Sequence, residues 1–157
     1  ADYYRAMRLG REGANHEALK LQRDVLDLFI VDSPFWFGTL QLGMSIELSA
    51  GNIANAVELA DVDLEHAYRI ADRSAMIMPL ACYATALRQL GETETLAVVR
   101  GGLPRRLTVH FVDELAEVDE WLAEQLDGST RRELAARGAD MEPRELRDLA
   151  RSVIPRS

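Results

Sequence analysis

Ser49-Ala50-Gly51-Asn52-Ile53-Ala54-Asn55-Ala56-Val57 reads as a helix end, a tight turn and the start of a second helix. Related stretches lie upstream, at Gly13-Ala14-Asn15-His16-Glu17-Ala18-Leu19, and downstream, at Gly91-Glu92-Thr93-Glu94-Thr95-Leu96-Ala97. The three glycines are 38 and 40 residues apart. Glycine has no Cβ, so it enters the left-handed conformation that closes a helix at little steric cost. Five residues after each glycine comes Ala18, Ala56 or Leu96, a small or apolar residue suited to packing the second helix on the first. A second element recurs out of phase, Asp32-Ser33-Pro34 and Asp72-Arg73-Ser74, again 40 apart. Helix, glycine turn, helix and connector, repeated, is the pattern of an α-helical repeat array.

The bulk composition agrees with a small folded unit. The chain has 157 residues and 48% hydrophobic content, enough for a core, with only 6% aromatics. A net charge of −8 argues against direct nucleic-acid contact and against anionic membrane surfaces, since both need clustered cations. No apolar run approaches the roughly 18 residues of a membrane helix, and no stretch reads as a signal peptide. Cys82 is the only cysteine, which excludes an internal disulfide and gives no reason to invoke an oxidising compartment. The expected location is therefore cytoplasmic. Lys20 is the only lysine, which with the abundant Ala suggests a GC-rich bacterial genome. The first residue is Ala1 rather than Met, so a fragment or a processed chain is expected.

Taken in order, the chain opens with the tail of a helix over about 2–12, apolar at Tyr3, Tyr4, Met7 and Leu9. A helix from about Asn15 to Phe29 carries Ala18, Leu21, Val25 and Leu28 on one face. Ser33 and Pro34 make a strong helix start, and Phe37, Leu40, Met44 and Leu48 form the inner stripe of a helix reaching Ala50. Gly43, on a second face with Trp36, would let another helix approach closely. Asn52 to Asp72 is helical, with Val57, Ala60, Leu64, Ala67 and Ala71 as its seam. The segment from Ser74 to Leu90 is apolar on almost every side, as a central helix would be, and Pro79 should bend it or mark its true start. A short helix to about Val99 follows Gly91, before the punctuation Gly101-Gly102-Leu103-Pro104.

Beyond Pro104 the repeat stops. A long helix is expected over about 105–126, with Leu107, Phe111, Leu115, Val118, Leu122 and Leu126 on its buried stripe. Asp113, Glu117, Glu120, Glu124 and Asp127 run along the opposite side without an interspersed cation. Gly128 is read as ending this helix. Ser129 or Thr130 is read as capping a short helix that Gly138 ends, with Glu133 placed to complete a capping box on Thr130. A last helix starts at Pro143 and turns Leu146, Leu149, Ala150 and Val153 inward.

The glycine-turn repeats, the long helix and Arg137-Gly138-Ala139-Asp140-Met141-Glu142-Pro143-Arg144-Glu145-Leu146-Arg147-Asp148-Leu149-Ala150 resemble the tetratricopeptide-like region of bacterial multidomain regulators. These are the LuxR-type and adenylate-cyclase-linked signalling ATPases. The resemblance implies an array that acts as a sensor or scaffold for protein or small-molecule signals. The spacing of 38–40 is longer than the 34 residues of the standard unit. No GxxxxGK[ST] is present, so the ATPase module of such regulators is not in this chain. Met141-Glu142-Pro143-Arg144-Glu145-Leu146 echoes the opening of a LuxR-type DNA-binding domain, but the chain ends before a recognition helix, so no DNA-binding residue is carried over.

Catalytic chemistry finds little purchase. His16, His66 and His110 fall on different expected helices, and only Asp63 and His66 have a ligand-like spacing, one imperfect half-match to the two Glu-x-x-His motifs and two further Glu that a di-iron bundle needs. Cys82, inside the most apolar helix, reads as an inert core thiol. Ser and Thr sit at caps and turns. No metal, cofactor or catalytic residue is expected. The acidic stripe is different. Like charges at i, i+4 disfavour a helix, and Glu124 and Asp127 lie near a C-terminus where the helix dipole disfavours them too. Solubility is one explanation. A docking face for an arginine-rich surface is the other, with Arg131, Arg132, Arg137, Arg144, Arg147 and Arg151 as intramolecular candidates.

The expected fold is all-α: tetratricopeptide-like helical hairpins in a right-handed array over 1–103, with capping helices of the same domain over 104–157. The expected role is a non-catalytic protein-interaction or sensor module of a bacterial regulator, binding a protein or peptide, including other domains of its own polypeptide. A groove would be lined by Trp36, Gln41, Tyr83 and Arg88. The alternatives are a homodimerisation scaffold using the edge at Tyr3, Tyr4 and Met7, and a small helical metal protein.

Overall fold

The computed structural model describes residues 2–28, 34–104 and 112–155, and every regular element among them is an α-helix. The protein is all-α. In chain order the helices are α1 (Asp2–Arg11), α2 (Asn15–Leu28), α3 (Pro34–Ser49), α4 (Ile53–Arg69), α5 (Ile77–Leu90), α6 (Thr93–Gly101), α7 (Val112–Gln125), α8 (Gly128–Ala139) and α9 (Pro143–Val153). Phe29, Asp32, Ser33, Leu107, His110 and Phe111 lie outside the described residues, as do the side chains of Tyr3, Tyr4, Met7, Leu28 and Asp113.

Three turns share one geometry. Gly13, Gly51 and Gly91 have φ of 78°, 78° and 76°. At each, the glycine N–H donates to the carbonyl three residues back, and the next N–H donates to the carbonyl five back from itself. The acceptors are Gly10 and Leu9, Leu48 and Glu47, and Arg88 and Leu87. Both hydrogen bonds satisfy carbonyls that a helix end otherwise leaves orphaned. The connector after α4 repeats the pattern without glycine: Ala71 has φ 54°, and the N–H groups of Ala71 and Asp72 donate to Tyr68 and Ala67. Asp72 then accepts from the Ser74 N–H, the Ser74 hydroxyl and the Ala75 N–H, and these bonds hold its carboxyl below the usual range. Helix α5 begins only at Ile77, so Pro79 sits in its first turn, where its missing N–H costs nothing.

Successive helices pack as hairpins, α1 on α2, α3 on α4 and α5 on α6, and alternate helices also touch: α1 with α3, α3 with α5, α5 with α7, and α6 with α8. Helix α5 is central, meeting α3, α4, α6, α7 and α9. Nine of its side chains, from Met78 to Leu87, are buried. The main core joins α3 through α9. The first hairpin is held by a separate small cluster of Ala18, Leu19 and Ile46 with Leu9 and Leu42. Gly43 acts as its spacing implies: a Cβ there would lie 2.7 Å from Gln22 Nε2 and 3.0 Å from a Leu59 methyl. Gln22 is buried, and its Nε2 donates to the Thr39 carbonyl.

The C-terminal glycines do not do what their positions suggest. Gly128 opens α8 rather than ending α7, and Asp127 caps it by accepting from the N–H groups of Ser129 and Thr130. The Thr130 hydroxyl donates to the same carboxylate, so no Thr130–Glu133 capping box forms; the box present is Glu142–Glu145, at the start of α9. Gly138 is a buried residue inside α8, not its terminator. A Cβ on it would lie 1.8 Å from the Val98 carbonyl oxygen, and one on Gly101 would lie 2.1 Å from that of Ala135. These two glycines bring the backbones of α6 and α8 into direct contact.

Candidate functional site

That close approach shapes a cleft. Helix α8 is pressed onto α6, while α7 touches both only lightly, so a cavity of about 720 Å³ opens between the three. This is within the range of small-molecule pockets, roughly 300–1,000 Å³. Its apolar wall is built from Ala97, Leu103, Leu122 and Ala135, and the small alanines are what leave the volume open. Arg100 and Asp119 form one side. The Arg100 guanidinium donates to both Asp119 oxygens at 2.8 Å and reaches the carbonyls of Leu103 and Pro104, so its charge is compensated. Arg131 and Arg132, in the first half of α8, also line the cleft. Neither has an ion pair or a side-chain hydrogen bond to any described residue. Three arginines against one aspartate make this cleft cationic within a chain of net charge −8.

The four groove candidates do not converge. Trp36 and Gln41 are half-buried on α3, and the Trp36 ring leans on buried His66 with centroids 5.7 Å apart. Tyr83 is fully buried, so it cannot line an open groove; its phenol donates to Asp61 of α4. The reason is that α5 is covered by α7 and α9, leaving no exposed inner face at that point. Arg88 reaches across to Glu117 of α7 at 3.5 Å.

The acidic face is held rigidly, because Leu115, Val118 and Leu122 anchor α7 in the core. Its members have different duties. Glu117 pairs with Arg88, and Asp127 is occupied as the α8 cap, whose hydrogen bonds lower its pKa. Glu120 and Glu124 are exposed, with no ion pair to any described residue. The C-terminal arginines do not serve this face. Arg144 and Arg147 both donate to Glu65 of α4, and these bonds, Arg144 foremost, lower the Glu65 pKa. Arg144 also stacks on the Tyr68 ring at 3.9 Å, and Arg151 lies 3.4 Å from Asp61. The result is a polar clasp of α9 on α4.

Two buried groups lie elsewhere. Cys82 is fully buried, and its thiol pKa is pushed up by burial and by nearby Asp63 and Asp61. Asp63 is fully buried on α4, and neither carboxylate oxygen has a hydrogen-bond partner among the described residues; burial pushes its pKa up to about 7. Among the described residues no group of three His, Cys, Asp or Glu side chains is placed to hold a metal ion. No described helix is long and apolar enough to cross a membrane. No family model matches the chain, and neither a curated protein nor a solved structure matches it significantly.

Proposed function

We propose that the chain is a tetratricopeptide-like, right-handed array of helical hairpins closed by α7–α9, working as a non-catalytic interaction or sensor module of a bacterial cytoplasmic regulator or signalling protein. The observation that carries the reading is the shared geometry of the turns at Gly13, Gly51 and Gly91, each closing a hairpin that stacks on the next. Stacked hairpins hold side chains on rigid helices, which suits recognition of a protein or peptide surface. The outward face at Glu120 and Glu124 supports a docking role, because these carboxylates are exposed and pair with no described residue. An arginine-rich partner surface, including one on the same polypeptide, complements it.

The test is Glu120→Arg with Glu124→Arg in the protein that carries this chain. Glu117 and Asp127 are left alone, since one is paired and the other caps α8. The reading expects an unchanged melting temperature, with regulatory output and partner binding lost, and with wild-type binding weakened by salt. Exposed pairs are screened beyond a Debye length of roughly 8 Å at physiological ionic strength. Output and binding that survive both reversal and added salt would leave the face as a solvated surface only.

A further inference from the structure

We propose that the cleft between α6, α7 and α8 is a binding site for an apolar small molecule carrying one carboxylate, such as a medium-chain acyl carboxylate. This deepens the sensor half of the proposed function by naming a ligand class, and it rests on that reading. The argument has three parts. The first is volume: about 720 Å³ is enough for a drug-sized ligand, and the space exists because Gly101 and Gly138 draw α8 onto α6 while α7 stands off.

The second is the lining. Ala97, Leu103, Leu122 and Ala135 present carbon to the interior, so an apolar body loses water contact there at no polar cost. The third is charge. Arg100 is matched by Asp119, and its remaining donors go to backbone carbonyls. Arg131 and Arg132 have no ion pair or side-chain hydrogen bond to any described residue, and their planar donor forks fit a carboxylate bidentately. They are cations at the rim of an apolar cavity in an otherwise acidic chain. Large polyanions are repelled by the net charge, whereas a small monoanion can enter and find two guanidinium groups.

The experiment is isothermal titration calorimetry of the whole chain with decanoate, kept below its micelle concentration. Decanol is the neutral arm, and inorganic phosphate is the anion without an apolar body. Decanoate should bind about tenfold or more tightly than decanol, and the difference should shrink as salt rises. Phosphate should bind far more weakly than decanoate. Arg131→Gln with Arg132→Gln should reduce decanoate to the decanol level while leaving decanol unchanged. Ala136→Trp, which puts a ring into the cleft, should weaken both. Equal affinity for decanoate and decanol would overturn the proposal, as would phosphate binding as tightly as decanoate, or no binding of decanoate. These wild-type comparisons decide the matter even if a variant fails to fold. The charge reversal at Glu120 and Glu124 lies outside the cleft lining, so failure there and failure here are read separately.

Discussion

Asp63→Asn should change how stability depends on pH. Asp63 is fully buried, and neither of its oxygens has a hydrogen-bond partner among the described residues, so ionising it in the folded chain is costly. Its pKa stands at about 7 in the fold, against 3.8 for an unperturbed side chain. One pKa unit is about 1.4 kcal/mol, so the full difference corresponds to at most about 4 kcal/mol. Because the folded pKa is the higher one, the folded chain holds a proton that the unfolded chain has already released between these two values. Stability is therefore undiminished below about pH 4, falls as pH rises, and is lowest once pH passes about 7. Asparagine cannot ionise, and it buries an unpartnered amide much as the protonated wild type buries an unpartnered carboxyl. The variant should thus be closest to wild type at about pH 4 and more stable than it by a margin that grows with pH, up to at most about 4 kcal/mol at about pH 8.5. Urea unfolding followed by far-ultraviolet circular dichroism at several pH values gives the difference directly, and contributions from all other titrating groups cancel in it. A wild-type-to-variant difference that stays constant from about pH 5 to about pH 8.5 would refute the reasoning.

Three further substitutions test the backbone argument. Gly51→Val should cost about 1–2 kcal/mol, because φ is 78° and a Cβ there meets nothing within 4 Å, so the penalty is conformational alone; a thermal melt equal to the parent would contradict it. Ala71→Gly should raise the melting temperature, by up to about 1 kcal/mol of stability, since relief of the left-handed strain at φ 54° exceeds the added freedom of the unfolded chain. Gly138→Ala should cost about 3 kcal/mol or more, because its methyl would collide with the Val98 carbonyl and force two helices apart; chemical denaturation showing a loss of under 1 kcal/mol, on the order of a surface change, would mean α6 and α8 are not in contact.

The hairpin turns were legible because a glycine needed at positive φ recurs at a steady spacing beside small residues. The turn at Ala71 was not, since alanine does not advertise a left-handed backbone; only the following Asp72-Arg73-Ser74 marked it. The cleft was hidden for a related reason. Gly101 and Gly138 are 37 residues apart, and a glycine near a helix end reads as a terminator until the helix packed against it is known. Tyr83 lies on a helix whose covering is not visible in its own sequence, because α5 is enclosed by α7 and α9, which follow much later in the chain. Asp63 shares a face with Ala56, Ala60 and Ala67, a periodicity that could have placed it in the buried seam. In the sequence alone its i, i+3 spacing to His66 reads as a metal-ligand pattern.

Native-state hydrogen exchange tests the hairpin array most directly. In a stacked array each unit touches its neighbours only, so units open at different free energies. Here the first hairpin rests on the small cluster around Ala18, Leu19 and Ile46, while α5 lies at the centre of the main core. Amides of α1 and α2 should exchange through an opening well below the global unfolding free energy, and those of α5 only through global unfolding. If α1, α2 and α5 all exchange at the global free energy as one unit, the chain is a single cooperative bundle and the array reading is wrong.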